Sequence, residues 1–195
     1  NSKIKITGEY TYMTYLAQQP GGLTDKQFDK DPTQSIRNRN WFKVNWNLAS
    51  LSFDWKLTPR TRINWMNFGL AAERITVGYL GQINRADPLL ERDILGDQYK
   101  NFGSELRLLQ RYQLLNNTST FLIGARYYQG QTIRKQGLGD TTSLPHFEYN
   151  NPNSLEHSDY TFPSRNVAAF SENIFQLSSK LSLTPGVRFE YISTS

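Results

Sequence analysis

Four arginines are the side chains best suited by type and position to bind a solute. Arg37 and Arg39 end a polar stretch of the sequence. Arg74 ends a strand-like segment, and Arg134 begins another polar stretch. Ligand contacts concentrate where loops leave a rigid scaffold, and the planar guanidinium of arginine binds a carboxylate through two parallel hydrogen bonds. We therefore predict that these four residues bind an anionic solute.

No pattern in the sequence indicates catalysis or a bound metal. The chain has no cysteine, which excludes disulfides and thiolate metal sites. His146 and His157 match no zinc-ligand spacing, and the GLGD at 137–140 lacks the third glycine of a dinucleotide site. Serine-hydrolase, zinc-protease and Walker motifs are also absent. We therefore predict that the protein is not an enzyme and has neither a metal site nor a cofactor.

Seven segments of alternating polarity predict the β-strands that position the arginines. The clearest is the hairpin at 165–192, whose second arm has apolar residues on one side and polar residues on the other. Its turn lies at 178–180, and pairing Leu177 with Leu181 would place Glu172 diagonally opposite Arg188. The other five predicted strands lie at about 2–17, 40–57, 61–74, 99–115 and 121–130.

One predicted strand contains an irregularity. In the segment 40–57 the apolar residues change parity near Ala49 and Ser50, which predicts a β-bulge at that point.

The connections between these strands are of two kinds. Short polar turns alternate with long loops, predicted at about 18–39, 76–98 and 131–164, and every long loop lies at the same end of the sheet. Long loops without regular structure are unusual in a compact soluble domain, whereas outer-membrane barrels have short periplasmic turns and long extracellular loops. The pattern favours a membrane barrel over the alternative, a soluble sandwich whose core the aromatic residues would fill.

The predicted fold class is an all-β, antiparallel, up-and-down transmembrane barrel. The sequence contains no run of about 18 apolar residues, so no membrane-spanning helix is expected. Aromatic residues suit the two interfacial girdles of a barrel. They are Tyr10, Tyr12, Trp41, Trp46, Trp55, Trp65 and Tyr127. Seven strands are too few to close a membrane barrel, so we expect the chain to be part of a larger one.

The positive charge belongs mainly to the predicted strands. Cations on a lipid-facing surface cost several kcal/mol at mid-bilayer, so we expect those opposite the apolar face to point into the lumen. They are Lys3, Lys5, Lys43, Arg107, Arg111, Arg126 and Arg188. A cationic lumen favours an anionic solute. Nucleic acid is not an expected partner, because lysines and aromatics alternate on opposite faces rather than forming one stacking groove.

The closing segment resembles a known family. AAFSENIFQLSSKLSLTPGVRFEY is similar to the recurrent hairpin of TonB-dependent outer-membrane receptors, in which an A-x-F-x-E arm precedes an L-x-L-x-PG-x-R-x-E arm. More narrowly, AQQPGGLTDKQF, DPTQSIRNRNWF and SLSFDWKLTPRTRINW resemble the iron(III) dicitrate receptors of that family.

The resemblance implies a location, a function and partners. It implies an outer-membrane barrel of about twenty-two strands, of which residues 1–195 form part, surrounded by lipid and filled by a plug domain outside this chain. It also implies import of ferric citrate, or a related iron chelate, driven by the TonB complex through a segment that is likewise outside this chain. The alternatives are a receptor for another siderophore or anionic chelate, a passive porin-like channel, and a soluble binding module.

Overall fold

The computed structural model describes residues 3–194 as one antiparallel sheet with a single short helix. The elements in chain order are β1 (Ile4–Gln18), α1 (Asp25–Lys30), β2 (Trp41–Lys56), β3 (Thr61–Gly78), β4 (Arg92–Leu114), β5 (Asn117–Gly139), β6 (Ser158–Gln176), β7 (Ser182–Leu183) and β8 (Gly186–Thr194). No helix among the described residues is long and apolar enough to cross a membrane, a finding that does not bear on strands.

The strands follow one another in an up-and-down order. Each strand from β1 to β6 pairs with the next in the chain, and both β7 and β8 pair with β6. β7 and β8 are two parts of one arm separated by Thr184 and Pro185, and a proline in a strand removes one ladder donor. The predicted all-β, seven-span antiparallel sheet is therefore confirmed.

The register of the closing hairpin is also as predicted. The backbone N–H of Leu177 donates to the carbonyl of Leu181 at 3.0 Å. Phe170 lies opposite Arg188, so Glu172 lies diagonally across from this arginine. The period-2 pattern of this segment thus specified both the turn and the face of each side chain.

The β-bulge predicted in β2 is wrong. Tyr10 pairs with Ala49 and Glu9 with Ser50 in a register that runs without a break from one end of β2 to the other, and the β2–β3 register is equally continuous. The change of parity instead marks a change in which face is apolar. Leu51, Phe53 and Trp55 lie on one face, whereas Phe42, Val44, Trp46 and Leu48 lie on the other.

Near the short turns, one face of the sheet is apolar and exposed. We call it the outer face, and the opposite side the inner face. Strand pairing brings the outer-face residues of every strand into one continuous apolar band. It includes Ile4, Ile6, Leu51, Phe53, Trp65, Leu106, Leu108, Ile123, Val187 and Phe189. Leu106 and Ile123 are about half exposed, with no second layer of protein over them.

The strands extend well past this band, which shortens two of the predicted loops. The connections observed are 79–91 and 140–157, where the sequence predicted 76–98 and 131–164. Glycines, glutamines and charged residues interrupt the apolar residues of these extra segments, such as Val77 and Ile94, so most of the segments lack the sustained alternation of a half-buried strand. Pairing with neighbouring strands, which local sequence does not encode, makes them extended. The predicted turn at 116–119 is also tighter, with only Leu115 and Asn116 between β4 and β5.

The core of the described region lies on the outer face above the apolar band. Ile75, Val77 and Ile94 are buried there, and residues of the 140–157 loop pack over them. Trp41 joins this cluster and donates its indole N–H to the carbonyl of Ser143 at 2.9 Å. Trp41 thus serves the loop core rather than an interfacial girdle, and the loop covers strand surface that would otherwise face water.

Trp46 is the second aromatic residue that differs from the girdle prediction. It lies on the inner face, and its ring centroid is 6.2 Å from that of Tyr99. Trp55 and Trp65, in contrast, lie on the exposed outer face within the apolar band.

Candidate functional site

Two of the four predicted arginines come together on the inner face. Arg74 of β3 and Arg134 of β5 lie directly opposite Asp97 of β4, one on each side. Arg74 donates to the Asp97 carboxylate from Nε at 3.1 Å and from Nη2 at 2.8 Å. Arg134 donates from Nε at 2.7 Å and from Nη2 at 3.0 Å. The three side chains form an Arg–Asp–Arg cluster, which we call the upper station.

Burial within the upper station is unequal. The Asp97 side chain is 1% exposed, whereas those of Arg74 and Arg134 are 48% and 41% exposed. The carboxylate therefore lies beneath two guanidinium groups that face the solvent. Two positive charges and one negative charge leave the cluster with a net charge of +1.

Each guanidinium of the upper station has an edge to spare. The Nε–Nη2 edge binds Asp97, while Nη1 of Arg74 and Nη1 of Arg134 have no hydrogen-bond partner within residues 3–194. Tyr99 supports the arrangement, since its hydroxyl lies 3.2 Å from the Asp97 carboxylate and its ring lies 5.8 Å from the Arg74 guanidinium. The two arginines can therefore donate hydrogen bonds from these free edges to further carboxylate groups.

Arg37 has a different role, because it fastens the first loop to the second. Its Nη1 donates to the Arg85 carbonyl at 2.9 Å and its Nη2 to the Gln82 carbonyl at 2.8 Å. The guanidinium also lies 4.9 Å from the centroid of the Tyr79 ring. Arg37 is buried, so it presents no guanidinium edge to a solute.

Arg39 connects all three loops. It binds the Asp87 carboxylate with two hydrogen bonds of 2.9 and 2.6 Å, and its Nη1 donates to the carbonyls of Leu90 and Thr141. The hydrogen bonds from Arg39 hold the pKa of Asp87 below its usual value. Arg39 is buried like Arg37, and its N–H groups are committed within the loops.

Arg92 is a buried residue that the sequence did not single out. Its side chain is fully buried and donates to the Arg39 carbonyl at 3.2 Å, the Leu144 carbonyl at 2.8 Å and the Asp140 carboxylate. Burial alone would raise the pKa of Asp140, but hydrogen bonds from His146, Arg92 and Thr142 outweigh it and lower the pKa. Arg92 falls in a predicted loop without periodicity, so no sequence signal pointed to it.

The two histidines lie beside different acids. His146 Nδ1 is 2.7 Å from the Asp140 carboxylate, whereas His157 Nε2 is 3.7 Å from that of Asp93. Within residues 3–194 no group of three or more His, Cys, Asp or Glu side chains could hold a metal ion.

The predicted lumen cations are mostly on the inner face. Strand pairing places Lys5, Arg107, Arg111, Arg126 and Arg188 on the same face as Asp97. The prediction for Lys43 is wrong. It lies on the outer face, above the apolar band, with its ammonium 6.0 Å from the Phe147 ring centroid. At that level the outer face is covered by a polar loop rather than lipid, so an outward cation is tolerated. Lys3 precedes β1.

The arrangement of an exposed apolar band, short turns and long linked loops agrees with a comparison to known families. A family profile described as "TonB dependent receptor-like, beta-barrel" matches residues 1–195. The chain belongs to the TonB-dependent receptor barrels. It is therefore part of an outer-membrane protein, and its family is not one of enzymes. In such a barrel the outer face meets lipid and the inner face lines the lumen.

Two solved structures resemble the chain in fold. The unliganded ferric citrate transporter FecA matches with a TM-score of 0.75 and 23% identity, over 97% of this chain and 27% of that one. BauA, the ferric preacinetobactin receptor from Acinetobacter baumannii, matches with a TM-score of 0.61 and 9% identity, over 80% of this chain and 25% of that one. The chain thus spans about a quarter of these receptors. No curated protein matches the sequence.

Proposed function

We propose that this chain is part of a receptor that binds and imports ferric citrate across the outer membrane. The family match and the likeness to a ferric citrate transporter support this assignment. Energy would come from the TonB complex, and a plug domain outside this chain would close the lumen. The family match argues against the passive porin-like channel.

The observation that carries the proposal is the exposed pair of guanidinium groups over buried Asp97. Citrate has three carboxylates, and a ferric citrate complex presents several of them on one surface. Each free edge of Arg74 and Arg134 can bind one carboxylate with charge-assisted hydrogen bonds, which contribute about 1.5–3 kcal/mol apiece. The position of the pair, below the linked loops and on the inner face, is where a solute entering the lumen would meet it. Arg37 and Arg39 would act indirectly, by holding the loops above this station.

The test is ferric citrate binding to the complete receptor carrying Arg74→Gln or Arg134→Gln. We expect each substitution to weaken binding by roughly tenfold to a hundredfold, because a charge-assisted contact is lost. Arg62→Gln is the matched control, since Arg62 is an equally exposed inner-face arginine, paired with Asp54 near the short turns. Unchanged affinity in both upper-station variants would refute the assignment of the site.

The second candidate is a receptor for another anionic ferric chelate. The upper station selects negative charge rather than the shape of citrate, and the fold is shared with a receptor for ferric preacinetobactin. Competition by unlabelled ferric chelates against labelled ferric citrate separates the two candidates. A chelate that displaces ferric citrate at a hundredfold lower concentration would favour the second.

A further inference from the structure

We propose that a second anion-binding station lies on the inner face below the first, built by Arg107 and Arg126 over Glu105. We call it the lower station. It would bind the same carboxylate-bearing solute on its way through the lumen, so the identity of this solute, though not the site itself, depends on the proposed function.

The lower station shares with the upper one a covered carboxylate beneath two arginines, although Arg107 lies two residues along β4 rather than on β3. Glu105 lies on β4, as Asp97 does, and its side chain is only 7% exposed. Arg107 Nε donates to Glu105 Oε1 at 2.5 Å, and Arg126 Nη1 lies 3.8 Å from Oε2. The arginine side chains are 49% and 39% exposed. A buried carboxylate again holds two guanidinium groups that face the lumen.

Two aromatic rings fix the height of the arginines above the sheet. Phe68 lies against Gly103, where a Cβ would come within 2.2 Å of the ring, and the Arg126 guanidinium is 5.4 Å from the centroid of Phe68. Phe170 lies in the same way against Gly124. The glycines let both rings lie flat on the inner face, so that they support cations from below.

A third arginine, Arg188, lies beside the lower station and has a carboxylate partner of its own. Arg188 stacks over Phe170 at 5.6 Å and pairs with Glu190 at 2.9 Å. Arg107, Arg126 and Arg188 outnumber Glu105 and Glu190, so this cluster has the same net charge of +1 as the upper station. Glu105 is covered, whereas Glu190 is 35% exposed and paired with Arg188.

The distance between the two stations suits two successive positions of a solute along the lumen rather than one binding site. Asp97 and Glu105 are eight residues apart on β4, which at about 3.3 Å per residue separates the stations by roughly 26 Å. The outer-face neighbours Leu106 and Ala125 place the lower station at the depth of the apolar band. A multiply charged anion at that depth loses water and faces low-dielectric walls, so it needs compensating cations there. The lower station supplies them.

The experiment separates binding from uptake in cells that express the complete receptor. The double variant R107Q/R126Q is compared with R74Q/R134Q and with the control R62Q. For the lower-station variant we expect ferric citrate affinity within about twofold of wild type and an initial uptake rate at least fivefold lower. For the upper-station variant we expect weaker binding, and for the control no change in either quantity.

The outcomes distinguish this inference from the proposed function. Wild-type uptake by R107Q/R126Q would overturn the lower station, whatever the upper-station variants do. Unchanged binding by R74Q/R134Q would refute only the site assigned under the proposed function. If the double variant does not fold, as judged by heat-dependent electrophoretic mobility, the single variants R126Q and R126K replace it. Uptake that is restored by lysine supports an anion station, and equal uptake by both variants overturns it.

A direct measurement identifies the occupant. Crystals of the complete receptor soaked in ferric citrate should show anomalous iron density beside Arg107 and Arg126. An acidic side chain from another segment of the receptor, seated on the two arginines in place of the solute, would overturn the proposal.

Discussion

The arginines of the loops and those of the inner face pair with carboxylates in opposite ways. In the loop pairs the arginine is always buried: the Arg92 side chain is fully buried while Asp140 remains one-third exposed, and Arg39 is buried together with Asp87. On the inner face the carboxylate is the buried partner, and the arginines over Asp97 and Glu105 are nearly half exposed. The comparison teaches that the buried partner decides the role of the pair. A buried guanidinium holds the protein together, whereas an exposed one over a buried acid can bind a solute.

The largest expected effect is on the loops and follows from Arg92→Ala. Removing this guanidinium leaves the Arg39 and Leu144 carbonyls without its hydrogen bonds, and a buried polar group left unsatisfied costs about 1–3 kcal/mol. We expect faster hydrogen exchange throughout 140–157, with unchanged exchange in the strands of the apolar band. Arg111→Ala, on the inner face, serves as the control. Undisturbed protection of 140–157 in the Arg92 variant would remove the contrast between the two kinds of arginine.

The next largest effect comes from replacing arginine by lysine, which separates the contribution of the planar guanidinium from that of the positive charge. Arg74→Lys keeps the positive charge but loses the planar fork, so we expect ferric citrate binding to weaken by roughly tenfold. Arg39→Lys should leave the intrinsic affinity of the upper station unchanged while it speeds hydrogen exchange in 79–91. Arg74→Lys should thus change ferric citrate affinity but not hydrogen exchange in 79–91, whereas Arg39→Lys should change hydrogen exchange but not affinity. Equal effects on binding would show that loop and inner-face arginines do not differ in role.

The smallest expected effect is an alkaline loosening of the loop core. Burial raises the pKa of Tyr149 to about 12, and its hydroxyl donates to the Lys135 carbonyl at 3.1 Å. The unfolded pKa is about 10, so the contribution of neutral Tyr149 is complete below pH 10 and is lost as the pH rises toward 12. Proteolysis of 140–157 should therefore accelerate over this interval in wild type. Tyr149→Phe should show a weaker dependence on pH, and an identical dependence in both proteins would contradict the assignment.

The sequence predicted the fold well within the apolar band and less well in the strand ends above it, near the long loops. Within the apolar band, one face meets an apolar medium and the other a polar one, so every second residue is constrained and the strands and turns follow from the sequence. Above the band this constraint ends. Residues of β4 and β5 there are extended because neighbouring strands pair with them. Loop residues pack against Gly96 and Gly137, which leaves little room for a side chain at either position. That is why the predicted loops were too long and the parity change in β2 was mistaken for a bulge.

The candidate site was predictable only in part for the same reason. Arg74 and Arg134 attracted notice because of their residue type and position at the ends of predicted strands. Asp97, which joins them, lay in a predicted loop, and only the β3–β4–β5 register makes the three residues neighbours. Arg37 and Arg39 share this residue type and loop-end position, but their buried hydrogen bonds depend on loops that meet only in the folded chain.

The sequence by itself determined the class of the protein, the number of membrane-level strands, the register of the closing hairpin and the surplus of positive charge, because alternation and composition are local properties. The tertiary structure alone decided which arginines are covered and which are open, since burial depends on residues from strands and loops far apart in the chain. Arg107 is two residues from Glu105 on the same strand, but Arg74, Arg126 and Arg134 reach the carboxylates of β4 only because the neighbouring strands lie beside it.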